Sequence, residues 1–231
     1  MTTRTSITTL FIKRGVLKLL GRRFDRTQLA VTREYAHIWS HPEAWDKDRT
    51  AHRQRQLAAL AENINELAPA TVLELGAGMG DVLDYLVSRC PSVSRWEGLE
   101  LTNVGVDALR HAPHVHIRQG SMLALPYDND SFDLVFSYDS FEQLPRDYQK
   151  AFEEAYRVTR RDAIFIEPFK EAQQDVFGRM HLVNVDYFRS SIAAVEKAGF
   201  TISRGETFSK KSHGDLLVSA RKAGPMSASL D

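Results

Sequence analysis

The sequence predicts an α/β fold: a three-layer sandwich around a seven-stranded, mostly parallel sheet whose last strand is antiparallel, plus an N-terminal helical lid. Three observations predict it. From residue 71 onward, short apolar runs alternate with helical segments, the pattern of βαβ units and a parallel sheet. A glycine-rich turn within VLELGAGMGD (72–81) joins one such run to a helix. The last two extended runs, 201–210 and 214–222, are separated only by the residues around His213, so that pair must be antiparallel. The organisation implied is an N-terminal extension over 1–47, one domain over 48–222 and a flexible tail over 223–231.

Each element has its own signal. Residues 7–24 are predicted helical, with Leu10, Ile12, Val16, Leu17, Leu19, Leu20 and Phe24 on one side and Arg14, Lys18 and Arg22 opposite. Lys13 and Arg23 intrude on the apolar arc, as in a helix lying over a core or a site. Residues 33–47 gather Tyr35, His37, Trp39, His41 and Trp45 and are broken by Pro42. Leu57, Leu60, Ala61, Ile64 and Leu67 then recur at helical spacing up to Pro69. The domain continues as strand 71–75, helix 80–90, strand 96–101, helix 106–112 and strands 114–119 and 132–137. Helix 148–159, strand 163–168 and helix 186–200 follow, the last with Gly199 as its stop signal.

Composition narrows the function. The 231 residues are 43% hydrophobic and 26% charged, ordinary for one well-buried core. The single cysteine, Cys90, excludes an internal disulfide framework and reads as a core residue in a reducing compartment. No apolar run reaches the ~20 residues of a spanning helix. The first residues lack the apolar core and cleavage site of a secretory signal, so the expected location is cytoplasmic. The net charge is zero, but residues 1–60 hold 12 Lys and Arg against 5 Asp and Glu. That basic arm reads either as a solvated helical face or as a weak contact with anionic membrane surface through residues 13–26. Nucleic acid is not an expected partner, because the acidic remainder repels phosphate and no aromatic-basic stacking motif occurs. No set of His, Cys, Asp or Glu has metal-site spacing, so no metal is expected.

The strand–helix turn carries Gly76, Gly78 and Gly80. Glycines there permit tight backbone angles and let a ligand approach without Cβ interference. A dinucleotide fingerprint, G-x-G-x-x-G, would need its third glycine at position 81, which is Asp81. The pattern is instead E-x-G-x-G-x-G, with Glu74 two residues before the first glycine. A carboxylate there suits a cationic group on the ligand and repels pyrophosphate.

This run resembles motif I of the class I S-adenosylmethionine-dependent methyltransferases, and the likeness extends over roughly residues 50–222. WEGLELT puts Glu100 at the end of the second strand, where the resemblance implies ribose binding, with Leu101 packing on the adenine and Glu97 as a second choice. QGSMLALPYDNDSFDLVFS resembles the family run G-D-A-x-x-L-P-F-x-x-x-S-F-D-x-V, with Ser121 in place of the usual Asp near the adenine and Met122 beside it. SYDSFEQL resembles a segment in which many relatives carry a His; here that residue is Gln143, so its role is not carried over. Tyr138, the second residue of this segment, is assigned to the cofactor. The implied cofactor is S-adenosyl-L-methionine. The implied reaction is methyl transfer to O, N or C of a small-molecule acceptor, a metabolite or natural product. A membrane-associated lipid or quinone acceptor, or a catalytically silent cofactor-binding partner protein, remain the alternatives.

Acceptors in open α/β sheets lie beyond the C-terminal strand ends. Tyr35 and Trp39, four residues apart on one helix face, and Glu167 are the substrate-binding candidates. His181, after the fifth strand, is the candidate proton acceptor.

Overall fold

The computed structural model describes residues 51–109, 115–173, 190–209 and 214–223. The readings placed on the N-terminal extension, including Tyr35, Trp39 and the basic segment 13–26, lie outside these residues, as do His181 and the tail. Among the described residues, no helix is long and apolar enough to cross a membrane.

The elements run α1 (Ala51–Leu67), β1 (Thr71–Leu75), α2 (Asp81–Val87), β2 (Arg95–Glu100), α3 (Asn103–Leu109) and β3 (Val115–Gln119). They continue with β4 (Phe132–Tyr138), α4 (Tyr148–Val158), β5 (Thr159–Glu167), α5 (Ala193–Lys197), β6 (Phe200–Ser209) and β7 (Gly214–Lys222). Short 3-10 turns follow β4 (Phe141–Gln143) and β5 (Lys170–Ala172). The seven strands form one sheet in the order β3-β2-β1-β4-β5-β7-β6. β1 to β5 pair in parallel, and β7 runs antiparallel to both β5 and β6, as the short final connection requires.

Strand alternation divides the core into two layers. Leu73, Leu75, Val135 and Phe165 project to one face, where they meet Phe152 and Ala155 of α4 and Val195 of α5. Val72, Leu134, Phe136, Ile164 and Ile166 project to the other, against Leu57, Leu60 and Ile64 of α1 and Leu83 and Leu86 of α2. Both faces are covered, which explains why the central strands read as continuous apolar runs. Cys90 is buried in the second layer.

Several boundaries differ from the sequence reading. β5 begins at Thr159 rather than 163, because Thr159 leaves α4 in an extended conformation and a register shift opposite Phe132–Leu134 absorbs Arg160 and Arg161. α3 covers Asn103–Leu109, starting earlier than the 106–112 read from hydrophobic spacing. Among the described residues of the helix read over 186–200, α5 covers Ala193–Lys197. Just ahead of it, the Ser190 carbonyl accepts the Lys170 N–H and Ile192 N–H donates to Glu171, tying that backbone to the turn after β5.

Phe152 joins the layers of the first face. Its ring stacks on Phe141 at 4.5 Å between centroids and meets Phe165 edge-on at 5.0 Å, and it is fully buried. Phe152→Ala should therefore cost about 3–5 kcal/mol, the range for emptying a buried aromatic site. Urea titration followed by circular dichroism measures it, and a loss below about 1 kcal/mol would contradict this packing.

Candidate active site

The backbone after β1 turns through three glycines held in the left-handed region: Gly76 at φ 80°, Gly78 at 56° and Gly80 at 87°. Gly76 and Ala77 donate their N–H groups to the Leu99 carbonyl of β2, at 2.9 and 3.0 Å. A Cβ on Gly76 would sit 2.6 Å from the Ser140 Cβ and 3.5 Å from the Met122 methyl. Ser140, in the turn after β4, also donates its hydroxyl to the Leu75 carbonyl at 2.8 Å. The glycine is thus required by close approach as well as by backbone angle.

Glu100 fastens the other side of the loop. Its Oε2 accepts the Gly78 N–H at 3.0 Å, and its Oε1 accepts the Thr102 N–H at 2.9 Å and hydroxyl at 2.7 Å. Burial raises the Glu100 pKa, and these hydrogen bonds partly offset the rise. These bonds engage both lone pairs of Oε1, and Oε2 accepts the Gly78 N–H. Gly105 lets α3 approach: a Cβ there would lie 2.6 Å from the Gly78 carbonyl oxygen and 2.7 Å from the Glu100 Cγ.

Glu74 lies in β1, 1% exposed, and its Oε2 has no hydrogen-bond partner among the described residues. Burial pushes its pKa well up; Arg53 of α1 opposes that, while Glu100 and Asp81 add to it. Arg53 reaches across the mouth of the site, 4.0 Å from the Asp81 carboxylate, with its guanidinium 5.4 Å from the Tyr138 ring centre. Glu74 and Glu100 therefore place carboxylates at both ends of the glycine loop. That suits a ligand with donor hydroxyls at one end and a cation at the other.

A second group of carboxylates surrounds the ends of β4, β5 and β7. Asp139 is half-buried in a left-handed conformation, φ 50°, directly after β4. No described residue donates a hydrogen bond to its carboxylate. Burial raises its pKa well above the usual range, with Asp215, Glu142 and Glu167 adding to the effect and Arg53 opposing it. Asp215 accepts the Gln56 amide at 2.7 Å and lies 3.5 Å from His52 Nε2. Tyr138 donates its hydroxyl to Gln56 at 2.8 Å, so it links β4 to α1.

Other sequence-predicted residues fall as follows. Met122 joins Gly76 and Ser140, whereas the Ser121 hydroxyl accepts the Leu123 N–H at 3.2 Å within its own turn. Leu101 is half-buried and accepts the Gln119 amide at its carbonyl, 3.3 Å away. Glu167 is fully buried and turned toward the loop after β4, accepting from Ser137, Ser140, Phe141 and Glu142. Glu97 is ion-paired with Arg95 and lies 3.9 Å from Arg118. Among the described residues, no group of His, Cys, Asp and Glu could hold a metal ion. Arg53, Gly105, Asp139 and Ser140 were missed by sequence reasoning. A usable signal existed for two of them: Asp139 and Ser140 immediately follow the fourth strand, where an open sheet binds its ligands.

Glu74, Glu100, Asp139 and Glu167 all hold their protons more tightly in the folded chain than when exposed, Glu167 up to about 7. Their contribution to stability is complete below the ordinary carboxylate range and is lost as pH rises through the folded values. For Glu167 that window runs from 4.5 to about 7. The ligand-free protein should therefore lose roughly 1–3 kcal/mol of stability between about pH 5 and pH 8. Denaturant titrations across that interval check it; stability that climbs instead would contradict the burial of these acids.

Residues 72–162 match a family described as a methyltransferase domain. The chain is 26% identical over 172 residues to a glycine/sarcosine/dimethylglycine N-methyltransferase of Actinopolyspora halophila, covering 64% of this chain and 30% of that protein. It is 29% identical over 134 residues to a demethylmenaquinone methyltransferase of Porphyromonas gingivalis, covering 54% of this chain and 51% of that protein. The chain thus spans about a third and about half of these relatives' lengths. In three dimensions it superimposes on the N-methyltransferase NodS of Bradyrhizobium japonicum with a TM-score of 0.69 at 12% identity, covering 84% of this chain and 98% of that one. The matched stretch, described as a methyltransferase domain, holds the glycine loop, β2, β3, β4 and the start of β5.

Proposed function

We propose that this protein is a cytoplasmic enzyme that binds S-adenosylmethionine along residues 74–80 and the end of β2, and methylates a small-molecule acceptor. The observation that carries the reading is the loop itself. Its glycines follow a backbone course that no side chain at Gly76 could share, and it starts from Glu74, whose buried Oε2 has no hydrogen-bond partner among the described residues. An ammonium group suits that oxygen; Glu100, Leu101, Ser121 and Met122 suit a ribose and adenine. Arg53 supplies a cation for a carboxylate beside Glu74. Bound there, the cofactor supplies a methyl group already activated by a sulfonium.

The chain's own work is to orient the acceptor and exclude water. Asp139 is the proposed proton acceptor for an N–H or O–H on the acceptor, since burial strengthens it as a base and no described residue satisfies it. The surrounding Glu142 and Asp215 favour an amine over an anionic acceptor. That an amine-methylating enzyme is among the chain's relatives supports this choice. The other wall of the acceptor pocket is assigned from sequence to the 1–47 lid with Tyr35 and Trp39, and to His181. A quinone or lipid acceptor is the second reading, favoured by the likeness to a demethylmenaquinone methyltransferase. Salt-sensitive liposome binding that is lost on removing residues 1–26 would favour it instead.

Glu100→Ala should weaken binding of S-adenosylhomocysteine by about 1.5–3 kcal/mol, the range for hydrogen bonds to a charged group. Calorimetry tests this, and unchanged affinity would end the ribose assignment. Incubating the enzyme with S-adenosylmethionine and a panel of small amines, hydroxyl compounds and quinones, read by mass spectrometry for a gain of one methyl, tests the reaction. With an acceptor found, Asp139→Asn should lower kcat/KM by about 10²-fold or more while leaving cofactor affinity in place.

A further inference from the structure

We propose that Glu167 is a positioning residue for the cofactor site, setting the turn after β4 and, through Ser140, the glycine loop. The proposal rests on the reading that this loop binds S-adenosylmethionine. Four donors converge on the Glu167 carboxylate from one short stretch of chain. Oε1 accepts the Ser137 hydroxyl at 2.7 Å, the Ser140 N–H at 3.2 Å and the Phe141 N–H at 3.1 Å. Oε2 accepts the Glu142 N–H at 3.3 Å. Glu167 is fully buried at the last position of β5, so water cannot substitute for it at those donors.

The path from Glu167 to the loop runs through Ser140. Ser140 is gripped on one side by Glu167 at its N–H, and on the other donates to the carbonyl of Leu75, the residue before Gly76. Its Cβ fills the space that a side chain on Gly76 would need. Asp139, between Tyr138 and Ser140, is held left-handed by the same turn. Losing the anion at Glu167 would leave several inward donors unmet, and the turn would relax away from Gly76.

Glu167 needs its charge for this, because four donors can face a carboxylate but not a carboxylic acid, whose own O–H must also find an acceptor. Burial raises its pKa to about 7, against the lowering by Ser137 and the three backbone N–H groups. The Asp139 carboxylate faces it, and Asp215, Glu142 and Arg53 bear on Asp139 in turn. Glu74 and Glu100 also titrate upward at the loop, so a pH dependence of binding alone would not identify its source. Ser137 separates them: its hydroxyl bonds to Glu167 alone among these acids.

The experiment is calorimetric titration of the full chain with S-adenosylhomocysteine from about pH 5.5 to 8.5, for wild type, Ser137→Ala and Glu167→Gln. Wild-type affinity should fall on the acid side. Ser137→Ala should shift that fall to higher pH, since the charged form has lost a hydrogen bond. Glu167→Gln should bind about tenfold more weakly near pH 8 and lose that part of the pH dependence. A residue that only stabilised the fold would move neither profile. If wild type binds and both variants keep its profile and affinity, the positioning role is overturned; if Glu167→Gln does not fold, an unmoved Ser137→Ala profile overturns it alone. A wild-type chain that binds no S-adenosylhomocysteine at any pH overturns the cofactor reading beneath it.

Discussion

At the C-terminal edge of the sheet, two segments cross so closely that one of them has no space for a side chain. The loop after β1 and the turn after β4 meet at Gly76 and Ser140 because their strands are neighbours in register, with Leu75 opposite Ser137. These strands are also where the topology switches: from β1 the sheet grows outward through β2 and β3, and from β4 the other way through β5. The two loops must diverge to opposite faces at such a point, and the crevice between them is where open α/β sheets bind ligands. The glycines line that crevice, the serine closes its floor, and Met122 comes in from the β3 side.

The two edges of the sheet treat carboxylates in opposite ways. Near the N-terminal ends of the parallel strands, Asp133 pairs with Arg160, Asp162 with Arg161 and Arg221, and Asp130 with Lys222. Asp133 also accepts N–H groups from Ala70 and Thr71, and its pKa is lowered. These acids bind the chain to itself. At the opposite edge, the pKa values of Glu74 and Asp139 are raised by burial, with Arg53 opposing the rise. Buried acids left without close partners cost stability, and they cluster where a ligand or a proton must be received.

How much of this could be read in advance depends on how local each signal is. The glycine loop was legible because its three glycines and Glu74 lie within seven positions of one chain segment. Glu100 was legible because a strand end can be counted from the apolar run. Ser140 and Gly105 were not, since what they do is touch Gly76 and Gly78, and no spacing in the sequence states that contact. Arg53 sits in a helix whose apolar stripe could be seen while its polar face gave no direction. Glu167 was read as a substrate contact from its place at a strand end. Its side chain instead faces the β4 turn, which depends on the left-handed Asp139, a conformation the residue pattern does not announce.

The costs and the chemistry of the site have one origin. A carboxylate taken out of water becomes a stronger base, because its charged form has lost hydration that nearby dipoles only partly replace. For Glu167 the replacement is thorough, with four donors, and burial still holds it near neutrality at about 7. Asp139 has no such donors and sits among Asp215, Glu142 and Glu167, so the same desolvation acts on it with less relief. A group in that condition holds a proton more tightly than an exposed carboxylate does. The turn that carries Asp139 is held at its next three residues by hydrogen bonds from Ser140, Phe141 and Glu142 N–H groups to Glu167.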